Sequence, residues 1–327
     1  MSTPGATRAG AEDGAGRLDA GIVPLAAALQ DAERVLAGAG VPSPRVDAEI
    51  LAAHLLGVSR GELGVAVVLG RPAPAGLAAL VTRRAERVPL QHLTGTAPFR
   101  ELQLAVGPGV FVPRPETEVV AGVAIDAAAH AVASTGSALV VDLCTGSGAI
   151  ALAVAAEVPA ARVHAVELDA AAHAWAERNA VGSRVILHRG DARTALPELD
   201  GTVDVVVSNP PYVPPGAVPV DPEVAQHDPA VALYGLGPDG LEVPRGVVRA
   251  AARLLRPGGV LVVEHAEVQA EEARAMVDAT GAFRPARTEV DLTGRPRMVV
   301  ARRRAEATAG PGERAGDVPG DVTHSPS

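Results

Sequence analysis

Cysteine is almost missing from the chain: Cys144 stands alone, which excludes an intramolecular disulfide and a cysteine-rich zinc site and fits a reducing compartment, most simply the cytoplasm. Aromatic residues are also few, with three Phe, two Tyr and one Trp, so any core must be assembled from Ala, Val and Leu. No stretch reaches about 18 uninterrupted apolar residues and no basic start leads into an apolar run, so neither a membrane span nor a signal peptide is predicted. The formal net charge of −9 argues against broad electrostatic capture of nucleic acid or of an anionic membrane. What is present is length and apolar content. With 327 residues, 48% of them apolar, the chain can build about two domains with sizeable cores.

Residues 1–20 and 305–327 are Gly, Ala, Pro and polar residues without periodicity and read as disordered tails. Within 21–87, apolar residues recur at helical spacing, with breaks at "GAGVPSP" and "GRPAPAG", which predicts a small all-α domain of about four helices. Across 88–112 the pattern turns to alternation around Leu102, Leu104 and Val106, and a β-hairpin connector is expected. From 113 to 304 strands and helices alternate. The helices are expected at Glu118–Ala133, Gly148–Ala156, Ala170–Asn179, Leu241–Leu255 and Glu267–Ala279. The strands are expected at Ala138–Leu143, Arg162–Glu167, Arg184–His188, Val203–Ser208 and Val260–Glu264, followed by two runs around Gly294-Arg295 that read as a closing antiparallel hairpin. This order implies a parallel α/β sheet covered on both faces.

Three strand ends carry carboxylates. In "VVDLCTGSGAIALAVA" a strand reaches Asp142 and passes through Cys144, Thr145, Gly146, Ser147 and Gly148 into a helix, so backbone N–H groups from Gly146 to Ala149 are free to face a ligand. A dinucleotide fingerprint would place a third glycine where Ala151 stands, which weakens a dehydrogenase reading. The next strand ends at Glu167, suited to the two hydroxyls of a ribose, with Asp169 expected to cap the following helix. The third leads to Asp191, placed to accept from an adenine amino group. Each carboxylate alone also suits a solvated turn, but parallel strands bring successive carboxyl ends to one crevice.

The fourth strand delivers "SNPPYVP" to the same crevice. Proline cannot donate to a β-ladder and keeps its predecessor extended, so the strand must stop at Asn209. The Asn209 side-chain oxygen and the Pro210 carbonyl can then accept both hydrogens of one planar –NH2 group, beside Pro211, with Tyr212 offering a ring face. A proline-terminated strand with a surface tyrosine is the plainer alternative.

These segments resemble class I methyltransferases that use S-adenosylmethionine. More narrowly, "PLQHLTGTAPFREL", "VFVPRPETEVV", "SNPPYVP", "GPDGLEVPRGVV", "VVEHAE" and "DLTGRPRMV" occur in the order found in the peptide-chain release factor N5-glutamine methyltransferase family (HemK/PrmC type), a resemblance running from about Leu25 to Ala301. It implies a Rossmann-like methyltransferase sheet with the helical front domain recognising substrate. The implied reaction is methyl transfer to the glutamine amide of the Gly-Gly-Gln motif in class-1 release factors. By the same resemblance, Cys144 to Gly148 line the methionine and ribose of the cofactor, Glu167 the ribose, Asp191 and Ala192 the adenine, and Asn209 to Tyr212 the glutamine amide, with Asp142 and Asn209 also expected among the cofactor-binding residues.

Many members carry glycine where this chain has Cys144, a departure tolerable if the φ of Cys144 is negative. No metal is required, and His92, His227, Glu264 and His265 are expected to be structural or substrate-lining. Arg114 and Glu116 suit the cofactor's methionine end, while Pro115 and Glu116 suit the entry of a helix equally well. Two rivals remain: a DNA adenine-N6 methyltransferase, which shares "NPPY" but would need a basic recognition region, and a non-catalytic scaffold that binds release factors.

Overall fold

The computed structural model describes residues 23–305, so the tails expected at 1–20 and 305–327 lie, but for Ala305, outside the described residues. Helices come first: α1 (Leu25–Gly38), α2 (Pro44–Leu56), α3 (Arg60–Val68), α4 (Leu77–Ala85) and the short α5 (Leu90–Thr94). Local chemistry sets their ends. Pro44 occupies the first turn of α2, where its missing N–H costs nothing, and Gly57 closes that helix at φ 66°. Ser59 and Glu62 form a reciprocal capping box on α3. Leu25, Leu29, Leu36, Leu51, Leu63 and Val81 bury one another between these helices, forming a core separate from those of the sheet.

The hairpin follows as β1 (Thr96–Phe99) and β2 (Leu102–Ala105), paired antiparallel. Next come α6 (Pro115–Thr135), β3 (Ala138–Leu143), α7 (Ala149–Glu157), β4 (Ala161–Glu167), α8 (Ala170–Ala180), β5 (Ile186–Arg189) and β6 (Val203–Ser208). Two short helices, α9 (Pro222–His227) and α10 (Ala230–Leu233), interrupt the long segment after β6. Then α11 (Glu242–Leu254), β7 (Leu255–Glu264), α12 (Ala270–Asp278), β8 (Arg287–Val290) and β9 (Pro296–Arg302) complete the fold.

Seven strands form one sheet in the order β5-β4-β3-β6-β7-β9-β8, parallel from β5 to β7 and antiparallel from β7 to β8. Val205, Val206 and Val207 are buried, as an all-apolar central strand with two covered faces requires. Helix α6 is apolar and long enough to cross a membrane by composition, yet Val120, Ala121, Ala124 and Ala128 are fully buried in the core on one face of the sheet. Strand order reverses between β3 and β6, and the crevice beyond their carboxyl ends is where open α/β sheets hold ligands.

Several elements depart from the sequence reading. Strand β7 begins at Leu255 rather than Val260 because the chain turns directly from α11 into pairing with β6, with a register shift at Val203/Val205 accommodating Gly258 and Gly259. The helix expected from Glu267 opens as a 3₁₀ turn over Glu267–Gln269 and becomes α-helical at Ala270. Helices α5, α9 and α10 were not anticipated; at five, six and four residues they are too short to show a period.

One ion-pair cluster joins the helical front to the segment after β6. Arg84, 4% exposed, donates through Nε to Asp47 Oδ2 at 2.7 Å and through Nη2 to Glu223 Oε1 at 2.7 Å, and Arg87 stands 3.0 Å from the same Glu223 oxygen. Removing one member of a buried pair leaves a charge without compensation, at a cost of about 3–5 kcal/mol. Arg84→Ala is therefore expected to lower unfolding stability by about that amount in urea titration. A loss below about 1 kcal/mol would show that the cluster behaves as a surface pair.

Candidate active site

The ends of β3, β4, β5 and β6 open onto a cavity of about 830 Å³, lined by Cys144 to Ser147, Glu167, Asp191, Ala192 and Asn209 to Tyr212. Gly148 lies behind this wall: it stands at φ 86° as the N-cap of α7 and packs on Leu152 and Ala176. Ser208 Oγ donates to the Leu143 carbonyl at 2.6 Å, which ties β6 to β3 where the two chains leave the sheet.

The turn after β3 holds itself together. Asp142 is fully buried, and its Oδ2 accepts from Thr145 Oγ1 at 2.6 Å and from the Ala151 N–H at 3.1 Å. Burial pushes its carboxyl up to about 7 against those two donors. Asp142, expected among the cofactor-binding residues, does not line the cavity: its oxygen is engaged by Thr145 and Ala151, and it secures the turn from behind while the residues after it face the cavity. The expectation that all N–H groups from Gly146 to Ala149 are free needs correction. That of Gly146 donates to Glu167 Oε2 at 2.8 Å and that of Gly148 to the Thr145 carbonyl at 2.9 Å, leaving those of Ser147 and Ala149 without a partner among the described residues. At Gly146, φ 58°, an added Cβ would meet nothing within 4 Å, so this face of the turn is open to a ligand.

Cys144 also corrects the reading. Its φ is +62°, in the left-handed region, so the condition of a negative φ is not met and the side chain is held in a strained conformation. Enclosure and the neighbouring Glu167 push its thiol well above the ordinary cysteine range, the reverse of what a nucleophile needs.

Glu167 spends one oxygen on the Gly146 N–H and the other on that of Asp169, both at 2.8 Å, and burial raises its pKa. Each oxygen keeps a further lone pair. Asp169 caps α8 through the N–H groups of Ala171 and Ala172, as expected. Asp191 is more committed than its sequence suggested: Arg193, not anticipated, grips it through Nε at 3.0 Å and Nη2 at 2.7 Å and holds its carboxyl below the usual range. The Arg193 stem lies where a Cβ on Gly246 would sit, 2.5 Å from its Cγ.

At the end of β6, Asn209 Nδ2 donates to Thr117 Oγ1 at 3.2 Å, so the amide oxygen is turned the other way. Neither Asn209 Oδ1 nor the Pro210 carbonyl accepts a hydrogen bond from the described residues. The chain behind them is clamped. Gln269 Nε2 donates to the Tyr212 carbonyl at 3.0 Å and to that of Asp239 at 3.3 Å, while the Val213 N–H donates to the Leu233 carbonyl of α10 and the Val213 carbonyl accepts from the Gly235 N–H. Gly235 and Gly240 lie so near that added Cβ atoms would come within 2.5 Å of the Pro211 and Tyr212 carbonyls. That gives a packing reason for the glycines of "YGLGPDG", of which only the "GPDG" part is singled out in the sequence.

Thr117, Glu264 and Arg297 complete this wall. Thr117 Oγ1 donates to Glu264 Oε2 at 2.8 Å, and the Tyr212 hydroxyl donates to Glu264 Oε1 at 3.4 Å. Burial pushes Glu264 up to about 7 and Tyr212 higher than an ordinary phenol. Phe111, with the Arg114 guanidinium 4.9 Å from its ring centroid, faces the same cavity. Arg114 in turn pairs with buried Asp228 at 2.6 Å and stands as the N-cap of α6, and it also lines the cavity together with Glu116, so it has a helix-entry place and a cavity face alike. His92 and His265 are half-buried and buried respectively and do not line the cavity.

A site that must hold a nucleoside-bearing methyl donor beside a planar –NH2 group needs this division of labour along one crevice, and the open turn, unpartnered N–H groups and remaining Glu167 lone pairs fit that donor. The chain is a class I methyltransferase, with S-adenosylmethionine as its cofactor. Residues 140–219 match a methyltransferase domain and residues 27–95 the PrmC N-terminal domain. A release factor glutamine methyltransferase of Streptomyces coelicolor is 54% identical over 280 residues, covering 85% of this chain and 98% of that one. Another, from Mycolicibacterium smegmatis, is 51% identical over 288 residues, covering 86% and 99%. A 4-amino-L-phenylalanine/4-methylamino-L-phenylalanine methyltransferase of Streptomyces pristinaespiralis is 46% identical over 261 residues, covering 79% and 88%. At these identities and coverages, the chain belongs to the release factor glutamine methyltransferase family.

Two outcomes follow from the turn. Cys144→Gly is expected to be more stable than Cys144→Ala by roughly 0.5–1 kcal/mol, the left-handed penalty less glycine's entropy, and equal urea midpoints would remove the strain. Asp142 binds its proton more tightly folded than unfolded, so between about pH 4 and 7 its ionisation lowers stability as pH rises. Asp142→Asn should flatten that fall when midpoints at pH 5 and 8 are compared; an unchanged slope would show that Asp142 ionises normally.

Proposed function

We propose that the protein transfers a methyl group from S-adenosylmethionine to the side-chain amide nitrogen, N5, of the glutamine in the Gly-Gly-Gln motif of class-1 peptide chain release factors. The observation that carries this reading is the pair of unpartnered acceptors, Asn209 Oδ1 and the Pro210 carbonyl, held at the cavity end of β6 in a chain 54% identical to a release factor glutamine methyltransferase.

An amide nitrogen is a poor nucleophile because its lone pair is delocalised into the carbonyl. S-adenosylmethionine supplies, when bound, a methyl group activated by a sulfonium. Asn209 and Pro210 each accept one hydrogen of the –NH2 group, which turns the nitrogen toward the donor and supports the positive charge that develops on it. Pro211 stiffens that terminus and Tyr212 covers the amide with its ring. Fixing two reactants in one geometry is worth on the order of 7–11 kcal/mol in favourable cases. On the cofactor side, Cys144, Thr145, Gly146, Ser147 and Gly148 form the turn that receives it, with Asp142 bracing them. Glu167 takes the ribose hydroxyls, Asp191 and Ala192 the adenine edge, and Asn209 borders donor and acceptor alike. No side chain has to remove a proton before transfer.

The helical front, α1 to α5, recognises the protein substrate, a role supported by its match to the PrmC N-terminal domain. Release factors are the partners in this reading. No stable nucleic-acid or membrane binding is expected from a net charge of −9, and a single cysteine suits the cytoplasm.

The test is mass spectrometry of a purified release factor incubated with the protein and S-adenosylmethionine. One added methyl on the Gly-Gly-Gln glutamine is expected. Transfer only to 4-amino-L-phenylalanine, or only to DNA adenine, would redirect the activity, and no transfer to any of them would leave a binding protein. Asn209→Ala is expected to retain cofactor affinity and to lose about a hundredfold in turnover, the scale of one oriented polar contact. Near-normal turnover would take Asn209 out of catalysis.

A further inference from the structure

We infer that Glu264, acting through Thr117, is a positioning residue that determines which end of the Asn209 amide faces the substrate. This rests on the reading above, in which Asn209 accepts a hydrogen from the substrate's –NH2 group.

An asparagine amide has two ends of almost the same shape and opposite hydrogen-bonding character. Its oxygen would welcome an –NH2 group; its nitrogen would repel one. Turning the amide over costs nothing sterically, so its direction must be set by the partner behind it. That partner is Thr117 Oγ1, 3.2 Å from Asn209 Nδ2. A hydroxyl has one proton and can either donate or accept toward Asn209, so Thr117 alone does not choose.

Glu264 makes the choice. It is the last residue of β7, 3% exposed, and its Oε2 lies 2.8 Å from Thr117 Oγ1. An ionised carboxylate only accepts, so it draws the Thr117 proton to itself and leaves Thr117 able only to accept from Asn209. Asn209 must then present Nδ2 to Thr117 and Oδ1 to the cavity. The second carboxylate oxygen receives the Tyr212 hydroxyl at 3.4 Å, so one charge orients both polar residues of the motif.

The groups facing Glu264 are Thr117 and Glu116 of α6, Tyr212 after β6, and Arg297 of β9, which is itself paired with Asp291. Arg297 favours the ionised form; burial and Glu116 oppose it, and the carboxyl is pushed up to about 7. Assays at pH 8.5 therefore sample the acceptor-only state.

Glu264→Gln keeps the shape and adds a donor. Its –NH2 group can satisfy Thr117 from the front, freeing the Thr117 proton for Asn209 Oδ1 and allowing the inverted amide. The experiment compares wild type with Glu264→Gln, Thr117→Val, Thr117→Ser and the Glu264→Gln/Thr117→Val double variant on a release factor. It follows kcat, KM and the dissociation constant for S-adenosylmethionine. A release factor carrying Gly-Gly-Glu serves as a competitive inhibitor, since a carboxylate prefers the inverted amide.

Glu264→Gln and Thr117→Val should each lose at least about tenfold in kcat/KM with cofactor affinity within about twofold, and the double variant should lose no more than the worse single. Thr117→Ser, which keeps the hydroxyl, should stay within about threefold of wild type and is informative even if Glu264→Gln folds poorly. In Glu264→Gln the Gly-Gly-Glu protein should inhibit more strongly relative to the glutamine form. Wild-type kinetics in Glu264→Gln, multiplying losses in the double variant, unchanged Gln-over-Glu preference, or cofactor affinity falling in step with turnover would each overturn the inference. Wild type failing to methylate the release factor would instead sink the reading on which it rests.

Discussion

A central strand that stops on Asn209-Pro210-Pro211 leaves two carbonyl acceptors without donors among the described residues at the switch point of the sheet, and the rest of the architecture serves to keep them there. Proline removes the N–H that would continue the ladder with β3 and β7, so the chain has no cheaper arrangement than to leave the sheet extended. Such a terminus would wander if unsupported. Gln269 grips it from the Tyr212 carbonyl, Gly235 and Gly240 let neighbouring backbone approach to distances no side chain would allow, and Thr117 holds the Asn209 nitrogen. Three separate segments thus converge on this terminus.

The opposite wall of the crevice follows another logic. There the polar groups are largely satisfied within the protein: Asp142 braces Thr145 and Ala151, Glu167 spans the ends of β3 and β4, and Arg193 occupies Asp191. A ligand entering this side meets a turn already rigid, with the Ser147 and Ala149 N–H groups and the outer lone pairs of Glu167 left for it. Rigidity before binding means that less conformational entropy is lost on binding. Cys144 at φ +62° shows the tension in this design, because a side chain stands where the backbone favours glycine.

The helical front and the sheet are joined electrostatically at the segment after β6. Arg84 and Arg87 reach from α4 and its end to Glu223 in α9, and Arg114 reaches from the entry of α6 to Asp228 just beyond it. The segment after β6 is therefore pinned at both ends of α9 by arginines from outside the sheet.

Much of this was legible in one dimension. Strands β3 and β6 were bounded correctly from their β-branched and apolar runs, the Gly-Ser-Gly turn and the Asn-Pro-Pro stop follow from backbone sterics, and the capping role of Asp169 follows from its place before an alanine-rich helix. Short helices such as α9 and α10 escaped because fewer than two turns carry no period. Thr117, Arg193 and Gln269 escaped for a deeper reason: each acts on a partner 92, two or 57 positions away through a single side chain, and nothing in a lone threonine or glutamine announces its acceptor. Sequence by itself determined where strands must end and which acceptors those ends would bare, since these are local consequences of missing N–H groups and missing Cβ atoms. Only the tertiary structure decided which of those polar groups stay unpartnered and which way the Asn209 amide points, because donors and acceptors are matched by proximity in space, and a residue's neighbours in the crevice come from strands and helices scattered along the whole chain.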